Sequence, residues 1–367
     1  MGKRVKRVLA VALVIVISIM SVSCKKNKEE ETKEIKSDND SIKIGVSFDS
    51  FVIERWRRDA DVFVSRVNDY DSKAEVSVQN ANGKIEKQKS QIRFLIDKKV
   101  DVLVVVCIDS EEIGDVIKEA KDAGIPVIAY DRLIMNSNVD LYISFDNEQV
   151  GRLMGEALVD AGHPNNKMLM ISGPDNDNNV SMVNNGFMDV MKENDIEIVD
   201  KYSVEGWNAQ KAADYIFAHE DELEDIDGIM CGNDSIATSV VKSLAELKLA
   251  DKIHVVGQDA DLEACQRIVE GTQVMTVYKQ VERLAEKAAE FAIKLARDKK
   301  IEGVTDTISD GKNDVPYYFL DSNAVNKDNI DKTIIESGFH RKEDVYLNVF
   351  DSEKETELTT ELETITK

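Results

Sequence analysis

Polar side chains follow three short apolar runs of this chain, at the point where each run ends. The endings are Asp131-Arg132 after residues 127–130, Asn233-Asp234 after 229–232, and Gln258-Asp259 after 254–257. Carboxylate, guanidinium and amide groups form directional hydrogen bonds, and ionised groups form bonds about twice as strong as neutral ones. Buried apolar runs are typical of parallel strands, and an open α/β sheet binds its ligand beyond the carboxyl ends of its strands. The pattern therefore predicts a polar small-molecule site.

Two sets of alternating strand and helix patterns position these endings. The first set has strands at 42–46, 74–79, 102–108 and 126–130, and helices at 53–68, 85–98 and 111–123. The second set has strands at 167–171, 196–203, 228–231 and 253–256, and helices at 150–160, 180–194, 209–219 and 235–247. A strand at 273–278, a helix at 281–299 and a strand at 315–320 follow. Repeated βα units predict α/β lobes with doubly wound parallel sheets, and no Ser/Gly-rich or Pro-rich linker separates the two sets.

Length and charge narrow the classes of function. A chain of 367 residues, 43% of them hydrophobic, is long enough to fill two cores. Its formal net charge of -23 argues against nucleic acid and anionic membrane surfaces, because both need a concentrated cationic face.

The first residues indicate export. Four basic residues precede an apolar stretch at 8–20 and then small residues, which is the pattern of a cleaved signal peptide over residues 1–23. Cys24 follows, and the segment resembles the lipobox of bacterial lipoproteins except that Ser21 stands where Leu is usual. We therefore expect an extracytoplasmic lipoprotein that is anchored to the cell membrane through Cys24. The charged stretch 24–40 is expected to act as a solvated tether.

Five segments carry a resemblance to a known family. They are Ile53-Glu54-Arg55-Trp56, Ala129-Tyr130-Asp131-Arg132, Tyr142-Ile143-Ser144-Phe145-Asp146-Asn147, Gly257-Gln258-Asp259-Ala260-Asp261 and Met275-Thr276-Val277-Tyr278-Lys279. From about residue 41 to 340, the chain resembles the D-xylose-binding proteins of bacterial ABC sugar transporters, within the type I periplasmic binding protein family. The resemblance implies two Rossmann-like lobes joined by a three-crossover hinge, with a sugar enclosed between them.

We assign the predicted lobes as follows. The N-terminal lobe is expected over 41–147 plus 281–312, and the C-terminal lobe over 148–280 plus 313–340. The remaining 341–367 is acidic and rich in Thr, and we expect it to be a mobile tail, or a segment that docks on a partner through the apolar Tyr346, Leu347, Val349 and Phe350.

The chemistry of a pyranose supports the same site. Its edge carries hydroxyls and its faces carry C–H groups, so a pocket needs planar polar groups and an aromatic plate. The ten predicted sugar-binding residues supply both, and they are Arg55, Trp56, Asp131, Arg132, Asp177, Asn179, Trp207, Asn233, Asp259 and Lys279. Because cations and carboxylates compensate one another, a neutral sugar can displace water without leaving a buried charge unpaired.

Several of these residues have alternative interpretations. Trp207 and Trp56 are each either a stacking platform for the sugar or a core residue of a lobe. Without the family resemblance, the sequence around Arg55 favours a solvated helix charge. Lys279 contributes to the hinge, to the ligand, or to both. Asp234 is expected to cap the helix that starts near residue 235.

Catalysis and metal binding have little support in the sequence. The four His residues show no ligand spacing, and the chain has no nucleophile elbow and no Walker loop. The Asx-rich turn at 175–179 is not a calcium loop, because Val180 and Gly186 stand where an EF-type loop needs Gly and Glu. We therefore expect a binding protein with no cofactor and no metal.

Two hypotheses for its partner remain. In the first, lobes closed around D-xylose dock on the permease of an ABC transporter for uptake. In the second, the closed form engages the extracellular domain of a sensor histidine kinase. Closure in either case requires the sugar to contact both lobes, because a ligand shifts an equilibrium only through its differential affinity for the two states.

Overall fold

Runs rich in Val and Ile form the central strands of the first lobe, because β-branched side chains fit a sheet that is covered on both faces. The computed structural model describes residues 37, 40–52 and 55–349. The strands of the first sheet are β1 (Lys43–Phe48), β2 (Glu75–Asn80), β3 (Val102–Val105), β4 (Val127–Tyr130), β5 (Leu141–Phe145), β11 (Asp306–Ser309) and β12 (Asp314–Leu320). Their order is β11-β12-β5-β4-β3-β1-β2, and β11 alone runs antiparallel to its neighbour.

Four helices cover this sheet. They are α1 (Arg55–Tyr70), α2 (Ile85–Asp97), α3 (Gly114–Asp122) and α9 (Val281–Ala296). Helices α1 and α9 pack on one face of the sheet, and α2 and α3 pack on the other. The first lobe therefore has two apolar cores, one on each side of the sheet.

The second lobe repeats this arrangement. Its strands are β6 (Lys167–Ser172), β7 (Glu197–Ser203), β8 (Gly228–Cys231), β9 (His254–Gln258), β10 (Met275–Tyr278) and β13 (Asn323–Val325), in the order β13-β10-β9-β8-β6-β7. Its helices are α4 (Asn147–Ala161), α5 (Asn178–Glu193), α6 (Ala209–Ala218), α7 (Asp234–Glu246), α8 (Leu262–Glu270) and α10 (Lys342–Val345). All strand pairs are parallel except β10 with β13.

Two glycines bring α4 and α5 into close contact. A Cβ atom on Gly151 would lie 1.9 Å from the carbonyl oxygen of Val183, and one on Gly186 would lie 2.0 Å from that of Glu148. Only glycine allows backbones to approach this closely. The contact holds the N-terminal half of α4 against α5, and residues of both helices, Asn147 and Val183 among them, border the cleft described below.

The chain crosses between the lobes three times, after β5, after β10 and after β12. The structure thus has the predicted two lobes and three crossovers. The expectation that residues 313–340 lie in the C-terminal lobe is wrong for β12, because this strand pairs in parallel with β5 of the first lobe. The third crossover accordingly falls between Leu320 and Asn323.

The C-terminal segment also differs from the prediction. The expected mobile tail from residue 341 is wrong for 341–349, because α10 packs on α8, Val345 is fully buried and the hydroxyl of Tyr346 donates to Asp331 at 2.7 Å. The predicted signal peptide, Cys24, nearly all of the tether and residues 350–367 lie outside the described residues. None of the helices in the described part is long and apolar enough to cross a bilayer.

Candidate functional site

A cavity lies where the carboxyl ends of the two sheets face each other. All ten residues predicted from the sequence line it, and the other residues that line it are Asn147, Gly173, Val180, Val183, Asn184, Met230, Gly232 and Gln258. The cavity is bordered by both lobes, so a ligand inside it contacts both.

Arg55, at the start of α1, faces three carboxylates. Its guanidinium lies 2.6 Å from Asp131, 3.5 Å from Asp59 and 3.7 Å from Asp259. Burial alone would lower the pKa of Arg55, but Asp131, Asp59 and Asp259 together raise it well above its ordinary value. The side chain is 7% exposed, so Arg55 is a buried cation and not a solvated helix charge.

Arg132 joins the two lobes. Its NH1 donates to Asp49 of the first lobe at 2.8 Å and to the carbonyl of Cys107 at 2.9 Å, and its Nε lies 2.6 Å from Asp177 of the second lobe. Burial raises the pKa of Asp177 and that of Asp49, although the charge of Arg132 opposes the rise. Asp177 also caps α5 by accepting from the backbone N–H of Asn179 at 3.1 Å.

Asp131 organises the first-lobe wall of the cavity. Its backbone carbonyl accepts from the hydroxyls of Tyr142 at 3.0 Å and Ser144 at 2.7 Å, and also from the amide of Asn179 at 2.9 Å. Asn179 belongs to the second lobe, so this bond closes the cleft as well. Burial would raise the pKa of the Asp131 carboxyl, but Arg55 and the other cations nearby hold it below its ordinary value.

Asp259 and Lys279 form the corresponding ion pair in the second lobe, with 3.1 Å between Lys279 Nζ and Asp259 Oδ1. Asp259 has φ +99°, and Asp131 in the opposite lobe has φ +63°. Left-handed backbone at non-glycine residues is strained, and such strain is concentrated at binding sites. Lys279 lies in the second crossover and also lines the cavity, so both of its predicted roles are compatible with its position.

Trp207 lies across the backbone of Gly173, at the end of β6. A Cβ atom at position 173 would be 2.3 Å from the indole ring, so the ring can lie here only over a glycine. Gly206 and Trp207 both have left-handed φ, +63° and +57°, in the short 3₁₀ turn Glu205–Trp207. The half-buried indole borders the cavity and is available as the aromatic plate.

Trp56 combines both of its predicted alternatives. It is 2% exposed and packs in the core of the first lobe beside Phe48, yet it also lines the cavity. The guanidinium carbon of Arg55 lies 4.4 Å from the centre of the Trp56 ring, and that of Arg132 lies 5.5 Å from it. These are cation–π distances, so Trp56 supports the two cations.

The prediction that Asp234 caps the helix after β8 is wrong. Asn233 is the cap, and its side-chain oxygen accepts from the backbone N–H of Ile236 at 2.9 Å. Asp234 is instead fully buried, where it accepts from Gln273 at 2.9 Å and from Thr276 at 2.6 Å. The sequence does not separate these roles, because Asn and Asp are equally good caps.

Hydrogen bonds at the rim also join the lobes. The backbone carbonyl of Asn176 accepts from the backbone N–H of Ser110 at 3.2 Å. The side-chain amide of Asn176 donates to the Ile108 carbonyl and to the Asp109 carboxylate, each at 3.3 Å. Asn176 is exposed and does not line the cavity. Together with the Arg132–Asp177 pair, these bonds show that the structure has its lobes in a closed arrangement.

The ten predicted sugar-binding residues leave out three polar residues of the cavity, which are Asn147, Asn184 and Gln258. Gln258 comes directly before Asp259 at a strand end, and Asn147 ends one of the segments that carry the family resemblance, so both had a signal. Within the described chain, Asn184 Oδ1, Gln258 Oε1 and Arg55 Nε are buried without a hydrogen-bond partner. Since buried polar atoms are normally paired, these three are suited to pair with a ligand.

A family model described as a periplasmic binding protein domain matches residues 44–300. The chain belongs to the periplasmic binding protein family. Members of this family bind solutes and are not enzymes, which confirms the prediction against catalysis.

Individual relatives are consistent with this assignment. The chain is 41% identical to the D-xylose-binding periplasmic protein of Haemophilus influenzae and 40% identical to that of Escherichia coli, and each match covers 83% of this chain and 92% of the relative. A carbohydrate transporter solute-binding protein from Chloroflexus aurantiacus, solved in complex with D-glucose, superposes with a TM-score of 0.76 at 26% identity, over 83% of this chain and 98% of that one. These matches confirm the predicted family and the two-lobed fold.

Proposed function

We propose that this protein binds a neutral monosaccharide, D-xylose before other aldoses, in the cavity between its lobes. One observation carries the proposal, namely the balance of charge in the cavity wall. The charged residues that line the cavity are three cations and three carboxylates, namely Arg55, Arg132, Lys279, Asp131, Asp177 and Asp259. Since a buried charge must be compensated, a wall that is neutral as a whole favours an uncharged, hydroxyl-rich ligand over an anion or a cation.

The choice of D-xylose follows from the relatives named above. Two proteins that are about 40% identical over most of the chain are named for D-xylose. The bound D-glucose of the Chloroflexus protein supports an aldose as the class of ligand. Epimer preference depends on the placement of single hydroxyls, so it needs a direct measurement.

Closure of the lobes is the second part of the proposal. Arg55, Asp131 and Arg132 come from the first lobe, whereas Asp177, Asn179 and Asp259 come from the second. A sugar bonded to both groups stabilises the closed state alone, and this differential affinity is what drives closure.

We further propose that the closed form is recognised by the permease of an ABC transporter, and that a lipid on Cys24 anchors the protein outside the cytoplasm. Engagement of a sensor histidine kinase is the alternative. Copurification from membranes with and without D-xylose separates the two. A permease retained in the presence of sugar supports uptake, and a histidine kinase retained in its place supports sensing.

Calorimetry of the purified full-length chain against D-xylose, D-glucose, D-ribose and L-arabinose tests sugar binding. We expect one-site binding with the tightest affinity for D-xylose. Asp259→Asn is expected to weaken binding about tenfold or more, because it removes a charged acceptor and leaves Lys279 uncompensated. Glu263→Gln, an exposed carboxylate on α8, is the matched control and is expected to bind like the wild type. An absence of heat with every aldose contradicts the proposal.

A further inference from the structure

Asp59 is a buried carboxylate just behind the cavity wall. It lies on α1 four residues after Arg55, with 3.5 Å between the two charged groups, and its side chain is 1% exposed. The hydroxyl of Tyr130, the last residue of β4, donates a hydrogen bond to Asp59 Oδ1. Asp59 is absent from the cavity wall, so it can act on a ligand only through its neighbours.

The three carboxylates around Arg55 differ in what else they can bind. Asp131 and Asp259 line the cavity, so a sugar hydroxyl can take up their lone pairs. Asp59 has no access to the cavity. When the cavity is filled, the attraction of Arg55 for Asp131 and Asp259 competes with the sugar, whereas its attraction for Asp59 does not.

We infer that Asp59 is the fixed counter-ion of Arg55, a positioning residue that keeps the guanidinium compensated while Asp131 and Asp259 turn to the sugar. This inference rests on the proposed function and assigns a role that sequence reasoning did not. Tyr130 supports this role, because its hydroxyl donates to the Asp59 carboxylate and so links α1 to the end of β4.

The contact between Asp59 and Arg55 makes the affinity for the sugar depend on pH. Burial raises the pKa of Asp59 to about 6, although Arg55 and the Tyr130 hydroxyl oppose the rise and Asp131 adds to it. Below that pH the carboxyl becomes neutral and Arg55 loses its fixed counter-ion. Arg55 then holds Asp131 and Asp259 more firmly, so affinity for the sugar falls as the pH falls through 6.

The test measures D-xylose affinity by calorimetry between pH 5 and pH 7.5, for the wild type, Asp59→Asn, Tyr130→Phe and the control Asp61→Asn. Asp61 is an exposed carboxylate on the same helix. Asp59→Asn keeps the shape of the side chain and removes its charge, so we expect its affinity for D-xylose to be about tenfold weaker at pH 7.5. We also expect that affinity to fall less than the wild-type affinity does as the pH is lowered to 5. Tyr130→Phe removes a hydrogen bond that stabilises the Asp59 carboxylate, so the loss of D-xylose affinity on acidification is expected to begin at a higher pH. Asp61→Asn is expected to follow the wild type.

The outcomes separate this inference from the proposed function. Asp49 and Asp177 also have raised pKa values, but they are present in every variant, so the difference between profiles reports Asp59. Equal affinity and parallel profiles for the wild type and Asp59→Asn overturn the inference alone. Absence of D-xylose binding by the wild type overturns the proposed function and the inference together. Thermal melting checks that each variant is folded. The inference is also overturned if Tyr130→Phe loses its affinity for D-xylose over the same pH range as the wild type.

Discussion

Replacing Asp177 with Asn removes the charge from one side of an ion pair that joins the two lobes. In the closed structure, Arg132 Nε lies 2.6 Å from Asp177 Oδ2, and both side chains are at most 4% exposed. Asn is as good a helix cap as Asp, so the substitution leaves the start of α5 intact. Opening of the cleft separates the two residues, so the substitution is expected to affect the closed state selectively.

The expected magnitude follows from the other partners of Arg132. Removal of one member of a fully buried ion pair costs about 3–5 kcal/mol, because the remaining charge is left uncompensated. Arg132 keeps Asp49 at 2.8 Å and the Cys107 carbonyl at 2.9 Å, so part of its compensation remains. We therefore expect a loss of about 2 kcal/mol, which is roughly 30-fold in the dissociation constant for D-xylose.

Calorimetry measures this change, and small-angle scattering measures the fraction of molecules that remain closed at saturation. Asp175→Asn, two residues earlier and exposed, is the matched control and is expected to behave like the wild type. An affinity of Asp177→Asn within twofold of the wild type would refute the reasoning that this pair stabilises closure.

Three further predictions concern the aromatic plate, the rim and a buried carboxyl. Trp207→Ala removes the indole and is expected to weaken D-xylose binding about tenfold or more in calorimetry, and Gly173→Ala, which displaces the same ring, should act in the same direction. Asn176→Ala removes the side-chain hydrogen bonds across the rim, so stopped-flow kinetics should show D-xylose dissociating about fivefold faster. The preference among aldoses should not change, and Asn178→Ala serves as the control. Burial raises the pKa of Asp234 from 3.8 to about 7, so between these values the folded protein binds a proton there that the unfolded chain does not. This group therefore makes the free energy of unfolding fall as the pH rises from about 4 to 7, and denaturant titrations of Asp234→Asn should show a smaller fall than the wild type.

The position of the cavity was predictable from the sequence, because polar residues directly follow several of the strands. The run at 127–130 is apolar throughout and β-branched in part, so both the strand and the position of Asp131 at its end follow from local sequence. The same holds for Asp259 after β9. Residues that follow parallel strands meet at one edge of a sheet, and two such edges that face each other bring the ten predicted residues around one cavity.

What was not predictable depends on long-range pairing. The apolar pattern of β12 identifies a strand, but only its pairing with β5 places it in the first lobe. In the C-terminal segment, Val345 is buried by α8 and its neighbours. The apolar residues that follow Val345 allow docking, but they do not identify α8 as the surface that is covered. Asn184 carries no signal either, because its place in the cavity wall follows from the close approach of α4 and α5.

Asp59 illustrates a further limit. Helical spacing permits an ion pair between Asp59 and Arg55, four residues earlier. Only the structure shows that this pair is buried behind the cavity wall and that Tyr130 donates to the carboxylate. The charge balance of the cavity wall, by contrast, follows from the residue types of the ten predicted sugar-binding residues alone.

A crystal structure of the protein grown with D-xylose would show whether the sugar bridges the two lobes. We expect a pyranose between the lobes, with one face against Trp207 and its hydroxyls bonded to Asp131 of the first lobe and Asp259 of the second. A cleft without sugar at saturating D-xylose, or a sugar bonded to one lobe only, would contradict it.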